Sequence, residues 1–411
     1  MKSIRVILFF LLFTGTAVAQ KDQLDYYVSQ ATANSPLLKD YQNQIRSAVY
    51  DSLLVLATYK PQFAGNGLAN YAPVVRGWGY DAAITNGQNL NALIGVTQQI
   101  PNKKTLKTQF ESLQLQNQSL SNVSAITEQD LKRNIIAQYI SAYAGLQQLN
   151  FNKEISKLLS HEEIILKKLT QANVYKQVDY LAFLVTLQQH ELLVKQLSIQ
   201  YKTDVATLNY LSGINDTTAV ELQDPHIILH PIPAIANSEF FKKFEIDSLK
   251  LNNSKALIDM QYRPKFNMFA DAGYNSSLTI KPYKNFGTSF GVSAVIPLYK
   301  SKQKNLEYSK IAIAEKTRRN NKDFFTSQYR QQVAQLFQQL YATEGLITDI
   351  NTQLKYTQSL IDVNGKLLET GEVKVTDYIL ALNNYINAKN LIALNTISRL
   401  LIINQLNYWN R

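Results

Sequence analysis

The spacing of hydrophobic residues along this chain predicts four β-strands. In residues 265–274, apolar side chains at every second position alternate with mostly polar ones. A period of two is typical of a strand with one apolar and one polar face. The pattern predicts strands at about 62–74, 88–100, 264–276 and 286–298, each close to the ~10 residues that a tilted strand needs to cross a membrane. The predicted apolar faces are Phe63, Gly65, Gly67, Ala69 and Tyr71; Leu90, Ala92, Ile94 and Val96; Phe266, Met268, Ala270, Ala272 and Tyr274; and Phe290, Val292, Ala294 and Ile296.

A different period predicts two very long helices, at about 102–172 and 299–370. Neither stretch contains proline, and both carry Leu, Ile and aromatic residues at heptad-like spacing. At 1.5 Å per residue, a helix of ~70 residues is about 100 Å long. Such a helix does not fit inside a compact domain, so we expect a coiled coil or a tube. Shorter helices are predicted over 22–58, about 178–212, 237–262 and about 376–411, with Ser35-Pro36 as an N-cap followed by proline in the first turn of the first of them.

The second half of the chain repeats the first. Tyr59-Lys60-Pro61-Gln62-Phe63 recurs as Tyr262-Arg263-Pro264-Lys265-Phe266, and Leu208-Asn209-Tyr210 recurs as Leu406-Asn407-Tyr408. Collinear matches with nearly constant offsets of about 200 residues are too long for a solenoid repeat. We therefore predict two structural repeats, residues 20–212 and 237–411, joined by a linker at 213–236.

The first residues have the features of a secretory signal. Lys2 and Arg5 precede an apolar run, and Ala17-Val18-Ala19 is a small-residue cleavage site, so residues 1–19 are predicted to be removed. Cysteine is absent, which excludes disulfides and thiolate metal sites. The formal charge of +11 falls to +9 when Lys2 and Arg5 are subtracted. These charges are scattered along the chain, so we expect no nucleic-acid partner.

The four predicted strands leave two structural alternatives open. One is a soluble sandwich with a polar face. The other is a membrane barrel, but four strands cannot close a barrel alone, and an open sheet edge does not occur in lipid. Three chains would supply twelve strands, which is enough to close.

Local motifs in this order resemble those of the outer membrane efflux protein family, the TolC-type channel-tunnels. Lys60-Pro61-Gln62-Phe63 and Arg263-Pro264-Lys265-Phe266 resemble the family's strand starts, and Ile296-Pro297-Leu298-Tyr299 resembles the end of its second strand. Gly371 followed by Val375-Thr376-Asp377-Tyr378-Ile379-Leu380 resembles the turn at the periplasmic helix tips. The resemblance covers residues 22–411, almost all of the mature chain.

The resemblance implies a mixed α and β fold with an internal two-fold repeat. It implies a homotrimer with four strands per chain in a 12-stranded outer-membrane barrel, continuous with a long periplasmic α-helical barrel and with an equatorial region at the linker. The implied function is a passive exit duct of a tripartite efflux pump or type I secretion system in a Gram-negative bacterium. Its partners would be outer-membrane lipid, a periplasmic adaptor (membrane fusion protein) and an inner-membrane transporter. No cofactor, metal or catalytic residue is implied.

The candidate functional residues lie at the two predicted helix turns. In the second turn, Gly371 is expected at positive φ, with Val375 and with Thr376 or Asp377 as cap of the next helix. In the first turn, Asn173 takes the glycine position, since Asn is also tolerated at positive φ, followed by Val178 and the capping candidate Asp179. The resemblance places Asp377 and Leu380 at the periplasmic constriction, and the other named residues at an adaptor-docking surface. For Asp377, a pore ring and a plain helix cap both remain open.

Other functions have weaker support in the sequence. A non-conducting periplasmic coiled-coil scaffold or adaptor is the main alternative, although no lipoyl-like or barrel domain separates the predicted helices. No Ser/His/Asp set, phosphate loop or metal cluster indicates an enzyme. His226 and His230 have the spacing of a metal pair only in a helix, and Pro225 and Pro231 flank them. His161 and His190 are expected on helix surfaces.

Overall fold

A computed structural model describes residues 23–81, 87–231, 238–279, 281–298 and 302–410. The predicted signal sequence and Tyr299 lie outside these residues. The helices and strands follow the chain in this order: α1 Gln23–Asn34, α2 Pro36–Thr58, β1 Gln62–Tyr71, β2 Gln88–Gln99, α3 Lys103–Gln171, α4 Gln177–Leu211, α5 Glu239–Gln261, β3 Lys265–Ser276, β4 Phe286–Val295, α6 Gln303–Thr370 and α7 Val375–Tyr408. None of the helices described is both long and apolar enough to span a membrane.

The chain divides into two compact units. The first unit contains the chain up to Ser35, Glu128–Ile232 and Val333–Asn410, and the second contains Pro36–Thr127 and Pro233–Gln332. The first unit is helical and includes the turn after α3 and the turn after α6. The second unit includes all four strands. Each long helix therefore contributes residues to both units.

The single helix expected over 22–58 is two helices, because Ser35 interrupts it. Proline has no backbone N–H and disfavours helical geometry in the residue before it. Ser35 still donates its backbone N–H to the carbonyl oxygen of Ala31 at 3.0 Å, and Pro36 starts α2. In the first unit, the Asn34 side chain then joins the end of α1 to the end of α4, with its Nδ2 3.2 Å from the carbonyl oxygen of Ser212.

The strands form one antiparallel sheet in the order β1-β2-β3-β4. Its register pairs Phe63 with Val96, Val96 with Ala270, and Ala270 with Phe290. Since directly paired residues point to the same side of a sheet, the predicted apolar faces of the four strands lie together. The alternation predicted from the sequence is thus confirmed.

The other side of the sheet is polar. Ala64, Gly95, Asp271 and Ser289 are paired across it, and Ser289 Oγ donates a hydrogen bond of 2.7 Å to Asp271 Oδ2. The apolar side is not covered by the chain itself, since the Phe290 side chain is 88% exposed. The sheet therefore has an apolar face and a polar face, and both are open in the single chain.

The core of the first unit includes part of the linker after α4. Tyr139 of α3 is fully buried among residues of α1 and α4. Its hydroxyl donates a 2.8 Å hydrogen bond to the carbonyl oxygen of Gln223, and Leu222 is buried beside it. The linker is thus held against the helices of this unit by a backbone contact and by apolar packing.

Candidate functional site

The turns after α3 and α6 end their helices with the same backbone conformation. Asn173 has φ of 60° and Gly371 has φ of 80°, so the predicted positive φ is confirmed at both positions. After each, the chain folds back: the Val174 N–H donates to the Leu169 carbonyl oxygen, and the Glu372 N–H donates to that of Leu367, each at 2.9 Å. This is the Schellman pattern, which satisfies carbonyl groups that the helix end leaves unpaired.

The helices after these turns begin earlier than expected. Lys176 and Lys374 occupy the N-cap positions of α4 and α7, in extended conformations. The prediction that Thr376 or Asp377 caps α7 is therefore wrong. Thr376 and Asp377 lie inside the first helical turn, because the extended backbone ends at Lys374. An acid there still interacts favourably with the positive end of the helix dipole.

Asp179 stands at the matching position of the first turn. Its Oδ2 accepts a hydrogen bond from the Lys176 backbone N–H at 3.3 Å, which is half of a capping box. Asp179 thus stabilises the start of α4 from the third helical position, without occupying the cap itself.

The two turns contact each other directly. The Tyr175 hydroxyl of the first turn lies 3.1 Å from the Leu368 carbonyl oxygen and 2.8 Å from that of Val373 in the second. Val174 also approaches Gly371 so closely that a Cβ on Gly371 would lie 2.5 Å from Val174 Cγ1. Gly371 is thus required both for its positive φ and for this contact. Sequence reasoning did not identify Tyr175, because its partners are carbonyl groups almost 200 residues away.

An apolar cluster beneath the turns holds α3, α4, α6 and α7 together. It includes Phe183 of α4, Leu368 of α6 and Tyr378 of α7. The Phe183 and Tyr378 rings lie 6.3 Å apart between centroids. Val375 belongs to the same cluster and is only 2% exposed. Val375 therefore packs inside the turn, and its side chain is not accessible at the surface.

The remaining predicted site residues face solvent in the single chain. Asp377 and Thr376 are exposed, and the Leu380 side chain is 61% exposed. Asp377 and Leu380 are three positions apart on α7, so they share one side of that helix. Val178 of α4 is 65% exposed. The constriction and docking roles of these residues stay predictions.

A cleft of about 490 Å³ lies close to the turns, between α3, α6 and α7. Glu162 and Tyr378 line it, although both residues are almost completely buried. Burial, and then the nearby charge of Glu369, raise the pKa of Glu162, while His161 acts in the opposite direction. Sequence reasoning missed Glu162, because nothing near it in the chain distinguishes it from a surface acid.

The candidate metal pair, His226 and His230, lies in a non-helical segment. Residues 225–231 are not helical, so His226 and His230 do not have the helical spacing that a metal pair requires. No group of three potential ligands is found within the ranges that the structure describes. His190, expected on a surface, is 8% exposed. Burial lowers its pKa, against a smaller opposite effect of a hydrogen bond with the backbone of Asn152.

No protein-family model and no curated protein sequence matches the chain. VceC, an outer membrane protein of Vibrio cholerae, matches with a TM-score of 0.74 at 11% identity over 94% of this chain and 96% of that chain. A membrane protein from Pseudomonas aeruginosa matches with 0.74 at 12% over 94% and 92%. The outer membrane channel MtrE of Neisseria gonorrhoeae, in its open state, matches with 0.71 at 10% over 94% and 88%.

These similarities, at low sequence identity, establish the fold. The chain has the fold of outer membrane channels, and it has this fold over nearly its whole length. The prediction of a helix-rich chain with very long helices and four strands is confirmed, as is the resemblance in fold to the TolC-type channels.

Proposed function

We propose that this protein is a passive exit duct in the outer membrane of a Gram-negative bacterium, built from three identical chains. It would serve a tripartite efflux pump or a type I secretion system. The fold similarity to outer membrane channels supports this proposal. The predicted export signal and the predicted duplication of the chain agree with it.

The observation that carries the proposal is the open sheet with two unlike faces. Among the described residues, β1 and β4 each pair with one neighbour only. Unpaired strand edges are not tolerated in lipid, so the sheet must close with others. Three copies supply twelve strands, with the exposed apolar face toward lipid and the face of Asp271 and Ser289 toward the lumen.

The helices would form the periplasmic part of the duct. A periplasmic adaptor would dock around Asn173, Val178 and Asp179 of the first turn and around Gly371 and Thr376 of the second. Val375 would act from within, as a packing residue of the second turn. An inner-membrane transporter would supply the energy. Because the duct itself only conducts, no catalytic residue or cofactor is needed.

The gate would be the constriction formed by Asp377 and Leu380 of three chains. Three carboxylates in a ring attract cations, whereas a ring of Leu380 side chains is apolar. Opening would require the turns to move outward, and this motion works against the Tyr175 contacts that hold the two turns of one chain together.

The experiment is single-channel conductance in planar bilayers, together with the mass in detergent. We expect a trimer with a small, cation-selective conductance that rises in Asp377→Ala. The chain has no cysteine, so Asp377→Cys offers one reactive group per chain. A cationic methanethiosulfonate reagent should then reduce the current, while Asp349→Cys, on the exposed side of α6, should not respond.

One result would reject the duct, and another would relocate its constriction. A monomer or dimer without conductance, found in the soluble periplasmic fraction, would favour the scaffold or adaptor function. A trimer that conducts but does not respond at Asp377 would retain the duct and move the constriction elsewhere.

A further inference from the structure

The cleft beside the turns contains two buried polar groups without a partner. Glu162 of α3 is 4% exposed and Tyr378 of α7 is 1% exposed. Neither Glu162 Oε2 nor the Tyr378 hydroxyl forms a hydrogen bond with any part of the chain that the structure describes. A buried polar group without a partner is destabilising, more so when it is charged. Both residues line the same cleft.

The charges around the cleft favour a cation. Four carboxyl groups and one ammonium group line it: Glu154, Glu162, Asp362, Glu369 and Lys366. Burial and Glu369 raise the pKa of Glu162, which a bound cation would counteract. The acids do not have the geometry of a chelated metal ion, since no set of three ligands is found among the described residues. A cation that donates hydrogen bonds fits the site better than a bare metal ion.

Aromatic rings in the same cleft already attract an ammonium group of the chain. Phe151 and Tyr385 pack edge to face, with centroids 5.9 Å apart. Lys389 Nζ lies 5.8 Å from the centroid of each ring. Cations are stabilised over aromatic faces at such distances. The walls of the cleft thus combine acidic, aromatic and aliphatic groups, as a site for an organic cation requires.

Gly365 keeps the cleft open. It lies inside α6, where glycine is the least favourable residue after proline. A Cβ at this position would lie 3.9 Å from Glu162 Oε1 and 3.8 Å from Tyr378 Cε2. Those are ordinary contacts, so alanine would fit without strain, yet it would fill space in the cleft beside Glu162 Oε1 and the Tyr378 ring.

We propose that this cleft binds an alkylammonium or guanidinium group, with Glu162 as its main hydrogen-bond acceptor and the Tyr378 hydroxyl as a second. The group is supplied either by a small organic cation or by a Lys or Arg side chain of another protein. The residues that line the site belong to one chain and do not include Asp377 or Leu380.

Calorimetric titration of the full-length protein in detergent, at constant ionic strength, tests the proposal. The probes are ethylguanidinium, butylammonium and the blocked peptide acetyl-Leu-Arg-Leu-amide. We expect saturable binding of one probe per chain. Glu162→Gln should weaken it at least about tenfold, the factor expected when a charge-assisted hydrogen bond is lost. Asp349→Asn, which removes an exposed acid of α6, should bind like the wild type.

Gly365→Ala distinguishes a loss of binding from a loss of folding. It should raise the midpoint of thermal unfolding, because alanine favours the helix, and still weaken binding. If the peptide binds at least ten times more tightly than ethylguanidinium, the natural ligand is a protein side chain; equal affinities indicate a small cation. The proposal is wrong if no probe binds, if Glu162→Gln binds like the wild type, or if tetramethylammonium or Mg²⁺ competes equally well.

Discussion

Replacing Gly371 with alanine tests how the two turns of the first unit are held together. Gly371 has φ of 80°, and a residue with a Cβ is disfavoured in this region by about 1–2 kcal/mol. The added Cβ would also lie 2.5 Å from Val174 Cγ1. Overpacking costs about 1–3 kcal/mol. Val174 is exposed and can rotate, so we take the low end and expect a total loss of about 2–3 kcal/mol.

Hydrogen exchange at the Glu372 amide measures this loss locally. That amide donates to the Leu367 carbonyl oxygen at 2.9 Å, and it exchanges only when the turn opens. A loss of about 2–3 kcal/mol corresponds to roughly 30- to 150-fold faster exchange in Gly371→Ala. Amides in the middle of α6 should keep their wild-type rates, because their hydrogen bonds do not depend on the turn.

Matched variants separate the two causes. In the double variant Gly371→Ala with Val174→Ala, the loss of stability caused by the contact with Val174 should disappear, and the loss caused by the positive φ should remain. Gly371→Asn should lose less of the backbone part, because Asn tolerates positive φ, as Asn173 does in the first turn. Exchange in Gly371→Ala within about threefold of the wild type would refute the estimate, since it would mean less than about 1 kcal/mol in total. If Val174→Ala does not slow exchange of the Glu372 amide in the Gly371→Ala protein, the contact with Val174 does not contribute to the loss.

Three further predictions concern other parts of the molecule. Tyr175→Phe removes the hydroxyl between the two turns, so exchange of the turn amides should accelerate about fivefold, for about 1 kcal/mol; unchanged rates would exclude the link. The pKa of Glu162 is raised above 4.5, so the folded protein binds more protons than the unfolded protein between pH 4.5 and that pKa. Its free energy of unfolding should therefore fall as pH rises through this range. Glu162→Gln should reduce this pH dependence, measured by thermal unfolding. Gly273→Ala would place a Cβ 2.2 Å from the Ala92 carbonyl oxygen, whereas Gly65→Ala meets nothing within 4 Å; the first should lower the unfolding midpoint of the sheet measured by infrared spectroscopy and the second should not.

Features governed by local physics were predictable from the sequence. Alternation with a period of two identified the strands and their apolar faces, because successive side chains of a strand point to opposite sides. Asn173 and Gly371 were recognised as helix ends, because few residues tolerate positive φ. The break at Ser35 had a signal as well, in the capping serine and the proline that follows it.

Features that depend on distant residues were not predictable. The starts of α4 and α7 differ from the predicted caps, because Lys176 and Lys374 occupy the cap positions without the side-chain oxygen by which a cap is recognised in a sequence. His190 is expected on a helix surface as an isolated histidine, yet packing between helices buries it. A helix buried on several sides loses the periodicity that would reveal its core.

By itself, the sequence determined the elements of this protein, their faces and the way its helices end. Those properties follow from the preferences of single residues and from periods of two and of about three and a half. Only the tertiary structure decided that Tyr175 joins the two turns and that Glu162 and Tyr378 share a cleft. Burial and hydrogen bonding depend on which atoms meet in space, and residues almost 200 positions apart meet only when the chain has folded.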